Sequence, residues 1–396
     1  MRASDIGLQP ILKTPRTRFS LPRYLQTLLV VIAVASCLFV IQATASFGFS
    51  RLLTTYSLTA GSLTAAKKAI QLTPKDAEAH LAGAALLSLS ATPDEAAKEL
   101  ERAIALRPAD YTLWSQLGLL RDQIGDPAGA LKAFDEAIRR APFYSRPRWN
   151  RGNVLLRSGQ YEAAFNDLSQ AAESNPELIP GLIDLAWGVS RGEVQLTEQL
   201  AQINSNQRRL AFTQLLARRG KAAEALAQFS KTSNVPEAIR RELVDQLLAK
   251  GAFKEAFNIW KGSDPPQTGN EPAGPFIHDG GFEGRLSFGD SGFGWRVQRD
   301  LRAASITLDA GQPHSGSKDL RIEFSGASNP GVALVSQLIL VEPSKRYQIN
   351  FSSRSQQLVT GGLPVVTASD ASGDQKRVGQ SLPLRKGNSD WQVYSF

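Results

Sequence analysis

The sequence predicts a multidomain protein with a single N-terminal transmembrane helix, an all-α solenoid of helical repeats and a C-terminal all-β sandwich. Three observations support this. No charged residue lies between Arg23 and Arg51, alanine and proline positions recur every 34 residues, and apolar residues alternate with polar ones beyond residue 300. About 20 apolar residues span a bilayer, a 34-residue period is typical of helix-turn-helix repeats, and alternation is typical of half-buried strands.

Size and charge narrow the classes of function. A chain of 396 residues with 42% hydrophobic residues can bury at least two cores. The net charge is +8, but the basic tail 1–24 holds +4 of it, leaving +4 for the other 372 residues. Such a mixed surface is unlike the basic stripe of a nucleic-acid-binding protein. The single cysteine, Cys37, excludes an internal disulfide and a cysteine-based metal cluster.

The first element is a transmembrane signal anchor at 25–46, preceded by a cytoplasmic basic tail at 1–24. Basic residues crowd the N-terminal flank, whereas only Arg51 follows within twenty residues. The positive-inside rule therefore predicts a single-pass cell-membrane protein with a cytoplasmic N-terminus. The bulk of the chain is then periplasmic or extracellular.

Two other interpretations of the apolar run remain open. Ala43-Thr44-Ala45 is a small-x-small pattern that a signal peptidase could cleave, and Val34-Ala35-Ser36-Cys37 resembles a lipoprotein box with Cys37 as the lipidated residue. Against them, the basic leader is long for a signal peptide, and the residues after Cys37 stay apolar. All three interpretations export the rest of the chain.

The second element is a helical solenoid at 47–261. Its 34-residue register contains Ala96, Leu100, Ala103 and Pro108; then Ala130, Phe134, Ala137 and Pro142; then Ala164, Leu168, Ala171 and Pro176. Together with Trp114, Leu117 and Gly118, these positions resemble the signature of tetratricopeptide repeats. The resemblance implies full repeats at about 77–110, 111–144 and 145–178.

Degenerate repeats are expected on both sides of these three. Residues Thr54 to Thr73 resemble the second half of a repeat, so the membrane helix is expected to run into it and cap the stack. After Pro176 the spacing breaks, yet Gly220 precedes Ala225 by five residues and Gly251 precedes Ala256 by five. The proline- and glycine-rich stretch 262–275 then predicts an interdomain linker.

The third element is an antiparallel sandwich at 276–396. Predicted strands contain Ile306/Leu308, Leu320 to Phe324, Val332 to Val341, Tyr347 to Phe351, Leu363 to Thr367 and Trp391 to Phe396. The motifs Asp279 to Glu283, Gly292 to Trp295, His314 to Ser317, Tyr347 and Asp390-Trp391 resemble the jelly rolls of carbohydrate-binding modules of families four and nine. That resemblance allows a structural calcium ion, for which no ligands can be named. Because such modules continue for further strands, the jelly roll is expected to be incomplete at Phe396.

No catalytic set and no metal site can be assembled from the sequence. His80 falls at a packing position of a repeat helix, whereas His278 and His314 lie near turns, without an accompanying nucleophile motif. The acidic pairs lie on predicted exposed helix faces. No cofactor is therefore expected.

Two binding surfaces are predicted instead. The repeat resemblance implies a partner-binding groove that contains Gln123, Arg146, Trp149, Asn153 and Arg157, where an aromatic ring and two arginines suit a protein or peptide. The alternative is that Trp149 packs between repeats and the arginines are merely solvated.

In the jelly roll, Phe293 and Trp295 are candidates for stacking on sugar rings. Trp391 and Tyr347 are expected in the core, and core packing remains the alternative for Trp295.

These predictions combine into a non-enzymatic, membrane-anchored adaptor. Its repeats bind a partner protein and its jelly roll is a candidate for polysaccharide binding, in cell-envelope polysaccharide assembly or export. A purely structural protein-interaction scaffold is the first alternative. An enzyme with a missing catalytic domain is the second.

Overall fold

The computed structural model describes residues 22–90, 92–262, 277–284, 286, 292–298, 304–326, 333–371 and 376–396. Nearly all of the predicted basic tail and of the predicted linker 262–275 lies outside these ranges. The chain divides into two compact units, Met1–Ser174 and Asn175–Phe396, called unit 1 and unit 2 below.

Unit 1 is a stack of four helix pairs. The helices are α1 Arg23–Ala60, α2 Leu63–Leu72, α3 Ala77–Leu89, α4 Pro93–Leu106, α5 Tyr111–Gln123, α6 Pro127–Arg140, α7 Ser145–Arg157 and α8 Tyr161–Ser174. Each odd-numbered helix packs against the next one, and the pairs α3/α4, α5/α6 and α7/α8 coincide with the three predicted full repeats.

Helix α1 is 38 residues long and contributes to two predicted elements. Its apolar N-terminal part is not buried and is long and apolar enough to cross a membrane, a test that a signal sequence also passes. Its C-terminal part buries Ser50, Thr54 and Ser57 against α2. The prediction placed Thr54 in the second half of a repeat, but that half contains only α2. Residues up to Ala60 continue α1 because the left-handed turn is at Gly61, with φ +66°.

The helix pairs close around small residues at the signature positions. Ala130, Ala137 and Phe134 are completely buried. A Cβ atom on Gly118 would lie 2.7 Å from Cε1 of Phe134. Only a glycine in α5 therefore lets the phenylalanine ring of α6 approach this closely.

A second position that recurs every 34 residues, in the first helix of each repeat, contacts the turn that precedes that helix. Nε2 of His80 lies 3.0 Å from the Pro74 carbonyl oxygen, Nε1 of Trp114 donates to the Pro108 carbonyl oxygen at 3.1 Å, and Nη2 of Arg148 donates to that of Pro142 at 3.2 Å. Nδ1 of His80 also lies 2.6 Å from Glu99. His80 is thus a buried packing residue, as the sequence predicted.

Unit 2 begins with three further helix pairs. After a 3-10 turn at Pro176–Leu178 come α9 Ile179–Val189, α10 Val194–Leu200, α11 Asn206–Arg218, α12 Ala222–Phe229, α13 Glu237–Ala249 and α14 Phe253–Lys261. Gly220 and Gly251 occupy left-handed turns, with φ +75° and +73°, and Ala225 and Ala256 are completely buried, as predicted.

The rest of unit 2 is rich in β-strands. They are β1 Arg296–Val297, β2 Ala304–Asp309, β3 Asp319–Phe324, β4 Val335–Ser336, β5 Asn350–Leu358, β6 Thr367–Ser369, β7 Arg377–Gln380 and β8 Gly387–Ser395. Within the described ranges they pair antiparallel as β1-β4, β2-β3, β5-β8 and β6-β7. The β-rich class is as predicted, but these four two-stranded sheets do not by themselves make a closed jelly roll.

Tyr347 is not a core residue, contrary to the prediction. It precedes β5, is 40% exposed, and its hydroxyl accepts a hydrogen bond from the Glu342 amide. Trp391, in β8, is half-buried and its Nε1 donates to the Gln312 carbonyl oxygen at 3.3 Å. Alternation along the strand therefore located an apolar face, but not the extent to which that face is covered.

Candidate protein-binding groove

The candidate site is a set of side chains on the first helices of the repeats, most of them exposed or half-buried. The 34-residue register aligns Leu81, Ser115 and Trp149; Ala85, Leu119 and Asn153; and Leu89, Gln123 and Arg157. We call these nine residues, with Arg146 and Asp122, the groove face of α3, α5 and α7. Since each first helix packs its other side against its second helix, this register forms one continuous strip along the stack.

On α7 the predicted residues share one side of the helix. Arg146 is exposed, Trp149 is half-buried, and Nδ2 of Asn153 donates to the Trp149 carbonyl oxygen at 2.9 Å. Intervals of three and four residues place these side chains on successive turns. An exposed cation and a partly accessible indole therefore lie side by side.

Arg157 connects α7 to α5. Its Nη2 lies 2.5 Å from Oδ2 of Asp122, which neighbours Gln123 in sequence. The Arg157 side chain is 58% exposed and that of Asp122 is 26% exposed, so this is a surface ion pair that contributes at most about 1 kcal/mol. A competing carboxylate could replace Asp122 at little energetic cost.

The sequence analysis missed the apolar part of the groove face. Leu89 is 83% exposed and Leu119 is 43% exposed. On α5, one turn before Leu119, the Ser115 hydroxyl is buried and has no hydrogen-bond partner among the described residues. The signal was present in the sequence, because these residues stand 34 before Gln123, Asn153 and Trp149.

Other arginines on the same helices hold the repeats together. Nε and Nη2 of Arg151 each donate to Asp167 at 2.6 Å, and Nη1 donates to Asp135. Hydrogen bonding to Asp167 raises the pKa of Arg151 above its ordinary value. Arg121 similarly pairs with Asp126 and Glu101. These cations have protein partners, whereas the part of the chain that the structure describes supplies no acidic partner for Arg146.

Gln123 lies at one end of the groove face. It is exposed and borders a cavity of about 570 Å³ with Ser88, Asp94, Arg121 and Asp126 among its lining residues. The cavity is open and polar, a character that suits the edge of a binding surface rather than an enclosed small-molecule site.

The two predicted carbohydrate-binding residues have different environments. Phe293 is only 2% exposed and packs edge-on against Phe257 of α14, with ring centroids 5.0 Å apart. Its ring is thus not accessible to a sugar in this structure. Trp295 is half-buried, stacks on Phe282 at 4.7 Å and donates from Nε1 to the Asp279 carbonyl oxygen. The carbohydrate-binding prediction therefore depends on Trp295.

The described residues contain no group of three or more histidine, cysteine, aspartate or glutamate side chains that could hold a metal ion. No ligand set can therefore be proposed for the calcium ion that the resemblance allows.

Comparison with known families confirms the repeats. The tetratricopeptide repeat family model matches residues 85–145 and again 115–178, a range that contains most of the groove face. These residues form tetratricopeptide repeats, a class of helical repeat that serves as a scaffold for protein interactions.

Individual relatives match only parts of the chain. Protein FlbA of Caulobacter vibrioides is 39% identical over 80 residues, which are 20% of this chain and 13% of that protein. PilF of Pseudomonas aeruginosa is 19% identical, with a TM-score of 0.35, over 48% of this chain and 92% of the other. YrrB, described as a tetratricopeptide protein with an unusual peptide-binding site, is 20% identical, with a TM-score of 0.28, over 50% and 91%. Similarity at this level carries no argument about what this chain binds.

Proposed function

We propose that this chain is a non-enzymatic, membrane-anchored adaptor whose groove face binds a segment of a partner protein. The observation that supports this most directly is the groove face itself. Its 34-residue register leaves Leu89, Leu119, Trp149 and Arg146 accessible on consecutive first helices. Tryptophan and arginine are the residues most often dominant in protein interfaces.

The charges favour an acidic partner segment. Arg146 has no acidic partner among the described residues, so an incoming carboxylate gains a new ion pair there. A carboxylate that binds Arg157 must instead displace Asp122, whose Oδ2 lies 2.5 Å from Nη2 of Arg157. The ligand that fits best carries an acidic residue at Arg146 and an apolar side chain against Trp149 and Leu119.

The proposed membrane anchor is the N-terminal part of α1. The apolar N-terminal part of α1 supports a single membrane span, and the basic N-terminal flank supports a cytoplasmic N-terminus with exported repeats. The proposal includes a role in cell-envelope polysaccharide assembly or export. That role depends on glycan binding by the β-rich region, for which Trp295 is the remaining candidate.

The test is a selection of displayed random peptides on the full chain in detergent micelles. We expect enriched peptides to combine an acidic with an apolar residue. Arg146→Glu and Trp149→Ala should each weaken their binding at least about tenfold, a loss expected for an interface residue that contributes strongly to affinity.

The matched controls are Arg139→Glu on α6 and Tyr161→Ala on α8, both exposed and both on second helices. They should leave affinity unchanged, and thermal unfolding should show that Trp149→Ala remains folded. Equal losses in the groove and control variants, or no enriched peptide, would contradict the proposal.

A further inference from the structure

The membrane helix enters the repeat stack without an intervening linker. A 38-residue α-helix is about 57 Å long and the hydrocarbon core is about 30 Å thick, which leaves about 27 Å of α1 beyond it. Within that length Ser50 is already buried, and its hydroxyl donates to the Ala69 carbonyl oxygen of α2. The first repeat therefore begins close to the bilayer surface.

The direction of α1 determines which end of unit 1 faces the membrane. Each short turn reverses the chain, so α3, α5 and α7 start from the end at which α1 enters the stack. The turns at Thr73–Asp76, Arg107–Asp110 and Ala141–Tyr144 all lie at this end. We call them the membrane-proximal turns.

The first helix pair is basic. The sequence contains no acidic residue between Arg23 and Asp76. Lys67, Lys68 and Lys75 are exposed, and no ion pair joins any of them to an acidic side chain within the described ranges. Lys67 borders a pocket together with Glu95 and Glu99, whereas Lys68 and Lys75 do not line it.

The acidic residues near these turns already have hydrogen-bond or ion-pair partners. Asp76 is buried and caps α3, Glu78 pairs with Arg107 at 2.6 Å, and Asp110 caps α5 by accepting from the Thr112 amide. Lys68 and Lys75 therefore dominate the charge near the first membrane-proximal turn.

Aromatic side chains project from the same end. Phe143, in the third membrane-proximal turn, is 86% exposed. Beside it Tyr144 is 58% exposed and packs on Tyr111 with ring centroids 4.8 Å apart. On α1 itself, Phe49 and Leu52 are 55% and 69% exposed. Aromatic and apolar residues interspersed with lysines are typical of surfaces that lie at a membrane interface.

We propose that the membrane-proximal turns and α2 lie against the anionic phospholipid headgroups of the membrane that α1 enters. Lys68 and Lys75 supply the electrostatic attraction, and Phe143 inserts at the headgroup level. This inference rests on the proposed anchor. Its consequence is that the repeats are held at a fixed orientation on the membrane rather than tethered loosely to it.

The experiment uses the full chain with Cys37→Ser, reconstituted in lipid discs. A pyrene label is placed at Phe143→Cys or, as the control, at Gln160→Cys in a turn at the opposite end of the stack. Discs contain phosphatidylcholine alone or with phosphatidylglycerol, and a headgroup spin-labelled lipid is the quencher. We expect quenching at position 143, strengthened by the anionic lipid, and none at position 160.

A variant pair tests the lysines. Lys68→Gln with Lys75→Gln should lower the equilibrium constant for lipid contact about thirtyfold, because each of the two basic residues near an anionic surface contributes about 1 kcal/mol. Lys98→Gln with Lys132→Gln removes the same charge elsewhere in unit 1 and should change nothing. Circular dichroism checks that both variants remain folded.

Other outcomes separate the inference from the anchor. Retention of the chain in the discs without quenching at position 143 overturns the inference and leaves the anchor intact. Pyrene excimer emission from position 143 overturns it in favour of a second copy of the chain covering this end. Loss of the chain from the bilayer on carbonate extraction overturns both the helical anchor and the inference.

Discussion

A single carboxylate joins two motifs of the β-rich region that are far apart in sequence. Oε1 of Glu283 accepts hydrogen bonds from the amides of Ser317 and Lys318, and Oε2 accepts from the Ser317 hydroxyl. A Cβ atom on Gly316, whose φ is +74°, would lie 1.9 Å from Oε1. The two segments that resemble a carbohydrate-binding module are thus paired for a structural reason.

This pairing predicts a local pH dependence. Hydrogen bonds, the largest from the Ser317 hydroxyl, lower the pKa of Glu283 below its ordinary value of 4.5. A carboxyl group whose folded pKa is depressed stabilises the fold above its unfolded pKa, and the contribution is lost as the pH falls through the folded pKa. Amide protection at Ser317 and Lys318 should therefore be present at neutral pH and decline only below pH 4.5.

Hydrogen exchange, corrected for intrinsic rates, measures this protection. Glu283→Gln should already lower it at neutral pH, whereas Glu342→Gln, an exposed carboxylate paired with Lys345, should leave it unchanged. Equal protection in Glu283→Gln and the parent chain would show that the charge of Glu283 does not hold the two turns together.

Individual residues were predictable where the register fixes them. The 34-residue spacing predicted the repeat at 145–178, and Trp149 and Arg157 lie in its first helix, α7. That they contact a partner stays a prediction. Phe293 was not predictable, because its burial comes from Phe257 and Trp260 of α14, which lie more than thirty residues earlier in sequence. A glycine-rich context shows that a ring lies in a loop but not what covers it.

At the scale of elements, the helix pairs depend on small residues at close approaches. Gly118→Ala places a methyl group against the buried ring of Phe134, and we expect a loss of about 1–3 kcal/mol in the free energy of unfolding. Gly188 in α9 is the matched control, because a Cβ atom there meets nothing within 4 Å. Gly188→Ala should be neutral or stabilise by up to about 1 kcal/mol.

Denaturant unfolding of the full chain in detergent, followed by circular dichroism, gives both values. Because the chain has two compact units, a separate transition for each is expected, and each variant is compared with the parent in the transition of its own unit. A Gly118→Ala chain as stable as the parent would mean that Phe134 relaxes freely, contrary to tight packing at this position.

The sequence predicted the boundaries of the helix pairs only where the repeat residues are typical of the family. The helical character of the α9/α10 stretch was predicted but its repeat register was not, because Thr197 takes the place of the turn-adjacent alanine. Gly192, five residues before it, has φ +82°, and the completely buried Thr197 hydroxyl lies 2.7 Å from that of Ser190. The hydrogen bond between Thr197 and Ser190 thus takes the place of the alanine contact. A search for alanine at this position therefore does not find the repeat.

The strands show a similar limit. Alternation located β2 and β3, which pair in register from Ala304↔Phe324 to Asp309↔Asp319. Which strands pair, and how completely a sandwich closes, depends on contacts distant in sequence that alternation does not specify.

At the scale of the whole molecule, one chain combines a helix long and apolar enough to cross a membrane, tetratricopeptide repeats and a β-rich region. Glycan binding by the last of these stays a prediction. It would appear as polysaccharide binding by the full chain on a glycan array, lost in Trp295→Ala with the fold retained. Retention of that binding in Trp295→Ala would exclude Trp295 as the contact.

The central claim is that the groove face recognises an acidic segment of a partner protein through Arg146. The most direct measurement is a charge-swap cycle with a peptide enriched in the selection, by fluorescence anisotropy. Arg146→Glu should weaken binding of the acidic peptide about tenfold or more, and replacing the peptide's acidic residue with lysine should restore much of the loss. If the lysine peptide binds Arg146→Glu no better than the acidic peptide does, Arg146 does not contact the ligand and the account of the groove is contradicted.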